Sequence, residues 1–254
     1  MTINLDIQKK FMISKIVDIF KFELMLQKKR YILMMILSVV VVSLISSFSI
    51  FFPPSEARLF AATTAGQLGS FLMLLSLFFA GGILADEFDK KTALTNFTKT
   101  GRENFFIGKT LAAYFSVISW IGPAFIETSI FCLILYRQIP VELLIWFGYY
   151  CIVGGAYTAI YLLCSALFRS GGQAMTVGFV FFIAEAIAFG LLLTFLNFPY
   201  PFILYCEIAG QAIFGTETDV FGTIVHPLLG ILVAVLYFIP CILIAYFRFK
   251  IRDV

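Results

Sequence analysis

Polar chemistry survives at few places in this chain. Glu127 stands in the run IETSIFCL and Glu185 in FFIAEAIAF. A charged side chain at the centre of a bilayer costs about 2.5–3.5 kcal/mol on insertion scales, so such a residue faces a bundle interior or a wet cavity. Both are candidates for a translocation pathway, as substrate contacts or proton-coupling groups. The competing reading is a carboxyl that burial keeps protonated and that hydrogen-bonds a neighbouring helix. Neither has a basic partner within its run, and Glu185 has Gly178 and Gly190 on nearby turns.

Motifs of soluble catalysis are absent from the sequence. There is no Gly-x-x-x-x-Gly-Lys-Ser/Thr loop to cradle phosphates, so the chain has no such means of binding and hydrolysing ATP by itself. The single histidine, His226, cannot build a His-x-x-x-His zinc site. It stands beside Pro227 at the mouth of an apolar run, the wrong depth for a Ser–His dyad inside a membrane. The expectation is a non-catalytic chain with no metal. Cys132, Cys151, Cys164, Cys206 and Cys241 have no paired spacing and read as packing residues. Asn96-Phe97-Thr98 matches a glycosylation acceptor but falls on the face predicted to be cytoplasmic, and is set aside.

A third polar feature is the block Ala85 to Lys109, ADEFDKKTALTNFTKTGRENFFIGK, helix-prone and wedged between two long apolar runs. Joined rigidly to two membrane helices, such a block is a handle that a cytosolic partner can grip.

The elements that carry these residues follow from composition. Of 254 residues, 61% are hydrophobic and 13% charged, with a mean hydropathy of +0.99. Soluble domains average about 45–50% apolar and about 25% charged, so this is an integral, all-α membrane protein. Crossing roughly 30 Å of hydrocarbon takes about twenty helical residues. Six runs qualify: Tyr31 to Phe52, Leu68 to Ala85, Leu111 to Tyr136, Leu143 to Phe168, Ala174 to Leu196 and Pro227 to Phe247. Sixteen of the 18 Lys and Arg residues then fall on one face, leaving Arg58 and Arg137 opposite. The positive-inside rule places both termini, and the tail 248–254, in the cytoplasm. No cleavable signal peptide is evident, so the first span is expected to remain as an anchor.

Two segments outside the spans are also apolar. In residues 1–30, Ile13, Ile16, Val17, Phe20 and Leu24 recur at helical spacing, predicting an amphipathic helix that lies in the membrane interface. Residues 197–224 begin with Pro199 and Pro201 and carry Phe202 to Phe214, interrupted by Glu207 and Gln211. That stretch is too short and too polar to span, and predicts one or two short helices dipping into the outer leaflet. A plain surface loop is the alternative. Small residues at Ala80-Gly81-Gly82, Gly154-Gly155-Ala156 and Gly171-Gly172 suit close helix packing. No internal repeat is visible, so the usual clue to an inverted-repeat transporter is missing.

At the charged block the chain resembles the membrane subunit of ABC-2 type transporters, whose cytoplasmic connection between spans two and three docks on an ATP-binding subunit. The acidic start matches Asp86, Glu87 and Asp89; the threonine step matches Thr92; the arginine element matches Arg102; Gly108-Lys109 leads into span three. Lys91 stands where the family often has glycine, the family's proline is replaced by Thr100-Gly101, and the Thr-to-Arg distance is about one residue short. The whole layout is similar to the family's.

The resemblance implies a permease in the plasma membrane that pairs with itself or with a related permease, above two nucleotide-binding subunits that hold ATP and Mg. This chain would bind no cofactor and no nucleic acid, and would contact membrane lipid. A rigid helix from Asp86 to Arg102 would transmit ATP-driven closure to spans two and three. Glu185 would then line the pathway, and Phe202, Glu207, Gln211 and Phe214 would form an outer gate. Export is the expected direction. The alternative is a proton-coupled transporter or channel using Glu127 and Glu185.

Overall fold

The computed structural model describes residues 2–51, 54–90, 92–196, 202–215, 219–220 and 223–252. Among these residues the architecture is all-helical apart from a two-residue antiparallel pairing of Asp219–Val220 (β1) with Thr223–Ile224 (β2). Among the described residues, five helices are long and apolar enough to cross a membrane: Ala57–Asp89 taken as one unit, Arg102–Tyr136, Glu142–Leu167, Gly171–Phe195 and Pro227–Ile251. The first predicted span falls on a further long helix, whose last described residue is Phe51.

That helix, α1 (Thr2–Phe51), runs without a break for 50 residues. No glycine or proline occurs between Thr2 and Phe51, and Pro53-Pro54 follow at once, so the sequence offers no hinge until the helix has ended. The separate interfacial helix expected in residues 1–30 is therefore not formed. Its segment continues the axis of the membrane run and lies along a neighbouring helix. Among the described side chains, those of residues 12–30, the buried positions are Ile19, Glu23 and Gln27, a face rotated from the predicted stripe, of which Ile13 and Val17 remain exposed. Two of the three are polar, and hydropathy periodicity is blind to them.

Helix α2 (Ala57–Ala80) starts eleven residues before the predicted span, because Phe60, Ala61, Ala62 and Ala65 add a buried face among its polar residues. It stops at Gly81-Gly82, and two short helices follow, α3 (Ala85–Asp89) and α4 (Ala93–Thr100). The single lever expected from Asp86 to Arg102 is thus divided. Gly101, at φ +83°, turns the chain between α4 and α5 (Arg102–Tyr136), a conformation that favours glycine. Arg102 to Lys109 form the first turns of α5 instead of completing the lever.

Helices α6 (Glu142–Leu167), α7 (Gly171–Leu196) and α9 (Pro227–Ile251) agree with their predicted spans within a few residues. Residues 248–251 are the last turn of α9, with Phe249 buried, and not a tail. The hydrophobic core sits around α2 and α6, while α7 and α9 expose most of their length. Close packing uses the predicted small residues: a Cβ on Gly82 would stand 3.4 Å from the Gly171 Cα, and one on Gly154 3.2 Å from Val117.

Candidate functional site

At the predicted cytoplasmic end, α1, α3, α4 and α5 are joined by one buried charge cluster. The Lys109 ammonium donates to Glu87 Oε1 at 2.8 Å and to the Ile83 carbonyl at 3.1 Å, and pairs with Glu23 Oε2 at 2.9 Å. Its side chain is only 5% exposed. Gly108 makes the approach possible, since a Cβ there would come within 2.7 Å of Ile19. Nearby, Phe20 meets Phe115 edge-on at 5.5 Å.

Glu87 is the node of this cluster. While Oε1 takes Lys109, Oε2 accepts from the Thr92 hydroxyl at 2.6 Å and the Asn96 amide at 2.8 Å. Asn104 completes the attachment, donating to the Thr100 carbonyl at the end of α4. The small helix α4 is therefore tied to α5 by Asn104 and, through the Glu87 carboxylate and Lys109, to α5 and α1.

Two other residues of the predicted docking block face inward. Arg102 donates to the carbonyls of Lys250 and Arg252 at 2.8 and 2.9 Å, capping the end of α9. Asp86 lies against Gly171 so closely that a Cβ there would overlap its carboxylate. The Arg252 guanidinium stacks on Phe88 at 3.9 Å. Burial, with the nearby charges of Arg169 and Arg248, pulls its pKa below the usual arginine range. Asp89, Thr92 and Lys99 are exposed.

At the opposite end, the segment predicted to be re-entrant is a helix, α8 (Leu204–Gln211), followed by a 3₁₀ turn, Ala212–Phe214. Residues 197–201, 216–218 and 221–222 of the predicted segment lie outside the described residues. Tyr205, Cys206, Glu207, Ala209 and Gly210 are buried. A Cβ on Gly69 would touch Glu207 Cγ at 3.3 Å; Gly69 is twelve residues along α2 from Ala57, about 18 Å at 1.5 Å per residue. The surface-loop alternative is excluded for these residues.

The four predicted gate residues gather around α8, and Glu185 joins them. Glu185 Oε1 accepts the Ile203 N–H at 2.6 Å, with the Leu204 N–H beside it, so the carboxylate satisfies donors that the start of α8 would otherwise orphan. Tyr157 donates to Glu207 Oε1 at 2.7 Å. Gln211 lies on Gly66, Phe202 packs edge-on against Phe189 at 5.8 Å, and Phe214 is buried. Glu127 lies apart, accepting from Ser43 on α1, with Oε2 buried and without a partner among the described residues. His226 caps α9, its Nδ1 accepting the Leu228 N–H at 3.2 Å.

Sequence reasoning missed Glu23, Asn96 and Tyr157. Tyr157 was within reach: Tyr149, Tyr150, Tyr157 and Tyr161 recur along one face of α6, and buried phenols need partners. Glu23 is joined to Lys109 by tertiary packing alone, and nothing local announces it. No known family model matches this chain, and no curated protein matches it.

Proposed function

We infer that this chain is the membrane subunit of an ATP-driven ABC-2 type transporter, working as an exporter. A separate nucleotide-binding subunit supplies ATP hydrolysis with its Mg; this chain is non-catalytic. The observation that carries the reading is the Glu87 node, which fixes a two-turn helix between α2 and α5 and couples it to α1 and α5. A partner pressing on α4 moves three helices at once. The six-span layout, with Tyr31–Phe52 as first span, both termini cytoplasmic and a plasma-membrane location, agrees with this reading. So does a buried hairpin before the last span, held by Glu185 and able to serve as an outer gate. The broad exposed face of α7 suits pairing with a second copy or a related permease.

The test is purification of the tagged chain from its host in mild detergent, with the accompanying proteins identified by mass spectrometry. A stoichiometric partner carrying a phosphate-loop motif is expected. Asp89→Lys with Lys99→Glu should remove it while leaving the chain's thermal melt unchanged, because both side chains are exposed. Charge reversal at Glu87 or Arg102 would not discriminate, since each holds the chain together internally. A chain that purifies alone, under conditions where ABC complexes survive, would sink the reading. The unpartnered oxygen of Glu127 favours one alternative, a proton-coupled transporter using Glu127 and Glu185. That alternative requires transport in sealed vesicles without ATP.

A further inference from the structure

One residue satisfies the whole first turn of α9. Pro227 has no N–H, and the N–H groups of Leu229 and Gly230 both reach the His226 carbonyl, at 3.1 and 3.3 Å. The Leu228 N–H is met instead by the His226 ring, at Nδ1 and 3.2 Å. Its neighbours depend on backbone; Leu228 depends on a side chain. Because the donor is a backbone N–H, the ring atom facing it is a nitrogen with a free lone pair. The cap exists only while Nδ1 carries no proton.

The same turn is the seat of α8. The His226 N–H donates to the Tyr205 hydroxyl at 3.1 Å, and the Cys206 thiol donates to the Gly230 carbonyl at 3.2 Å. A Cβ on Gly230 would stand 2.8 Å from that of Ala209. Tyr205, Cys206 and Ala209 are fully buried, whereas His226 is exposed. A ring that solvent can reach thus secures the turn on which a buried helix rests. The imidazole makes no other hydrogen bond or ion pair among the described residues. Of the elements around this turn, α8 brings Tyr205, Cys206 and Glu207, and Glu207 accepts from Tyr157. From α6 come Tyr149 and, two turns away, Glu142, which is paired with Arg58 at 2.7 Å. Asp219 of β1 pairs with Ile224, two residues before His226. A carboxylate close enough to favour the imidazolium raises the pH at which the cap is lost and leaves the sign unchanged.

We propose that His226 is an acid-sensitive latch that holds α8 against the start of α9. Protonation removes the lone pair that takes the Leu228 N–H and sets a positive charge against the positive end of the α9 dipole. The first turn then frays, and α8 loses its hold at Tyr205 and Gly230. Imidazoles change charge between about pH 8 and pH 5, so the latch is closed at the upper end of that interval and loosens as the pH falls through it. The latch rests on the packing of α8 against α9 and not on the transporter reading.

The test is the rate at which Cys206 reacts with a methanethiosulfonate reagent in the full chain, with the other four cysteines replaced by alanine. The rate is read as a ratio to that of His226→Asn at each pH. Asparagine caps a helix well and does not titrate in this range, and the ratio cancels the pH dependence of the thiol itself. A ratio near one at pH 8, rising several-fold by pH 5, is expected. His226→Ala, uncapped throughout, should exceed His226→Asn by a similar factor at both pH values. His226→Ser is a second comparator should His226→Asn melt low at pH 8. His226 is the only histidine of the chain, so a histidine-selective NMR titration reads its protonation directly. A ratio that stays flat while the ring takes up its proton overturns the proposal, as does a ring that remains neutral down to pH 5.

Discussion

Lys109 is a cation with two buried carboxylates and a carbonyl around it, and its removal strands both acids. Replacing Lys109 by Met should cost about 3–5 kcal/mol, the usual loss when one partner of a buried pair is deleted, read as a fall in the midpoint of a thermal melt. Combining it with Glu23→Gln and Glu87→Gln should restore most of that loss, because no uncompensated charge then remains. If the triple variant melts as low as the single one, the cluster is not held by charge balance. The two kinds of residue in this cluster differ in how readable they are. Lys109 and Glu87 stand out as charges flanking apolar runs, whereas Glu23 hides among nine other charged residues of the amphipathic segment 1–30. Its significance exists only once α1 lies along α5.

At the scale of elements, α8 depends on a residue from another helix. Glu185→Leu removes the acceptor for buried N–H groups at the start of α8, a loss of about 1–3 kcal/mol, while Glu185→Gln keeps an acceptor oxygen. The native Cys206 thiol, fully buried, reports the outcome in a background where the other four cysteines are replaced. Maleimide labelling in membrane vesicles should accelerate with Leu and change little with Gln. Unchanged labelling in both would show that α8 is held without Glu185. The long helices α5, α6, α7 and α9 were legible because composition and length alone define them. The divided α3–α4 segment was not, since Gly101 looks like any glycine until its positive φ is known. The start of α2 was hidden for a different reason: its buried alanines share their turns with Thr63, Thr64 and Gln67, which average the hydropathy away.

For the whole molecule, α2 and α6 form a buried centre while α7 and α9 expose most of their length, and on the transporter reading proposed above the α7 face is the one expected to meet a second membrane subunit. Ile187, 59% exposed on α7, gives a direct probe. An Ile187→Cys chain oxidised in native membranes should yield a cross-linked species containing either two copies or this chain and a related permease. Only uncross-linked chain, alongside a confirmed nucleotide-binding partner, would move the pairing face away from α7.

The uninterrupted α1 has a mechanical consequence. At 1.5 Å per residue its 50 residues measure about 75 Å, against about 30 Å of hydrocarbon. On the proposed layout, with Tyr31–Phe51 as a span, the preceding part is a stiff mast about 45 Å long, fastened part-way along its length to α5 through Ile19 and Glu23. A tilt of about 10° pivoting at the membrane surface sweeps its tip through about 8 Å. Small rotations within the bilayer are thereby enlarged into displacements at the amino terminus, which makes that end a natural gauge of what the membrane helices are doing.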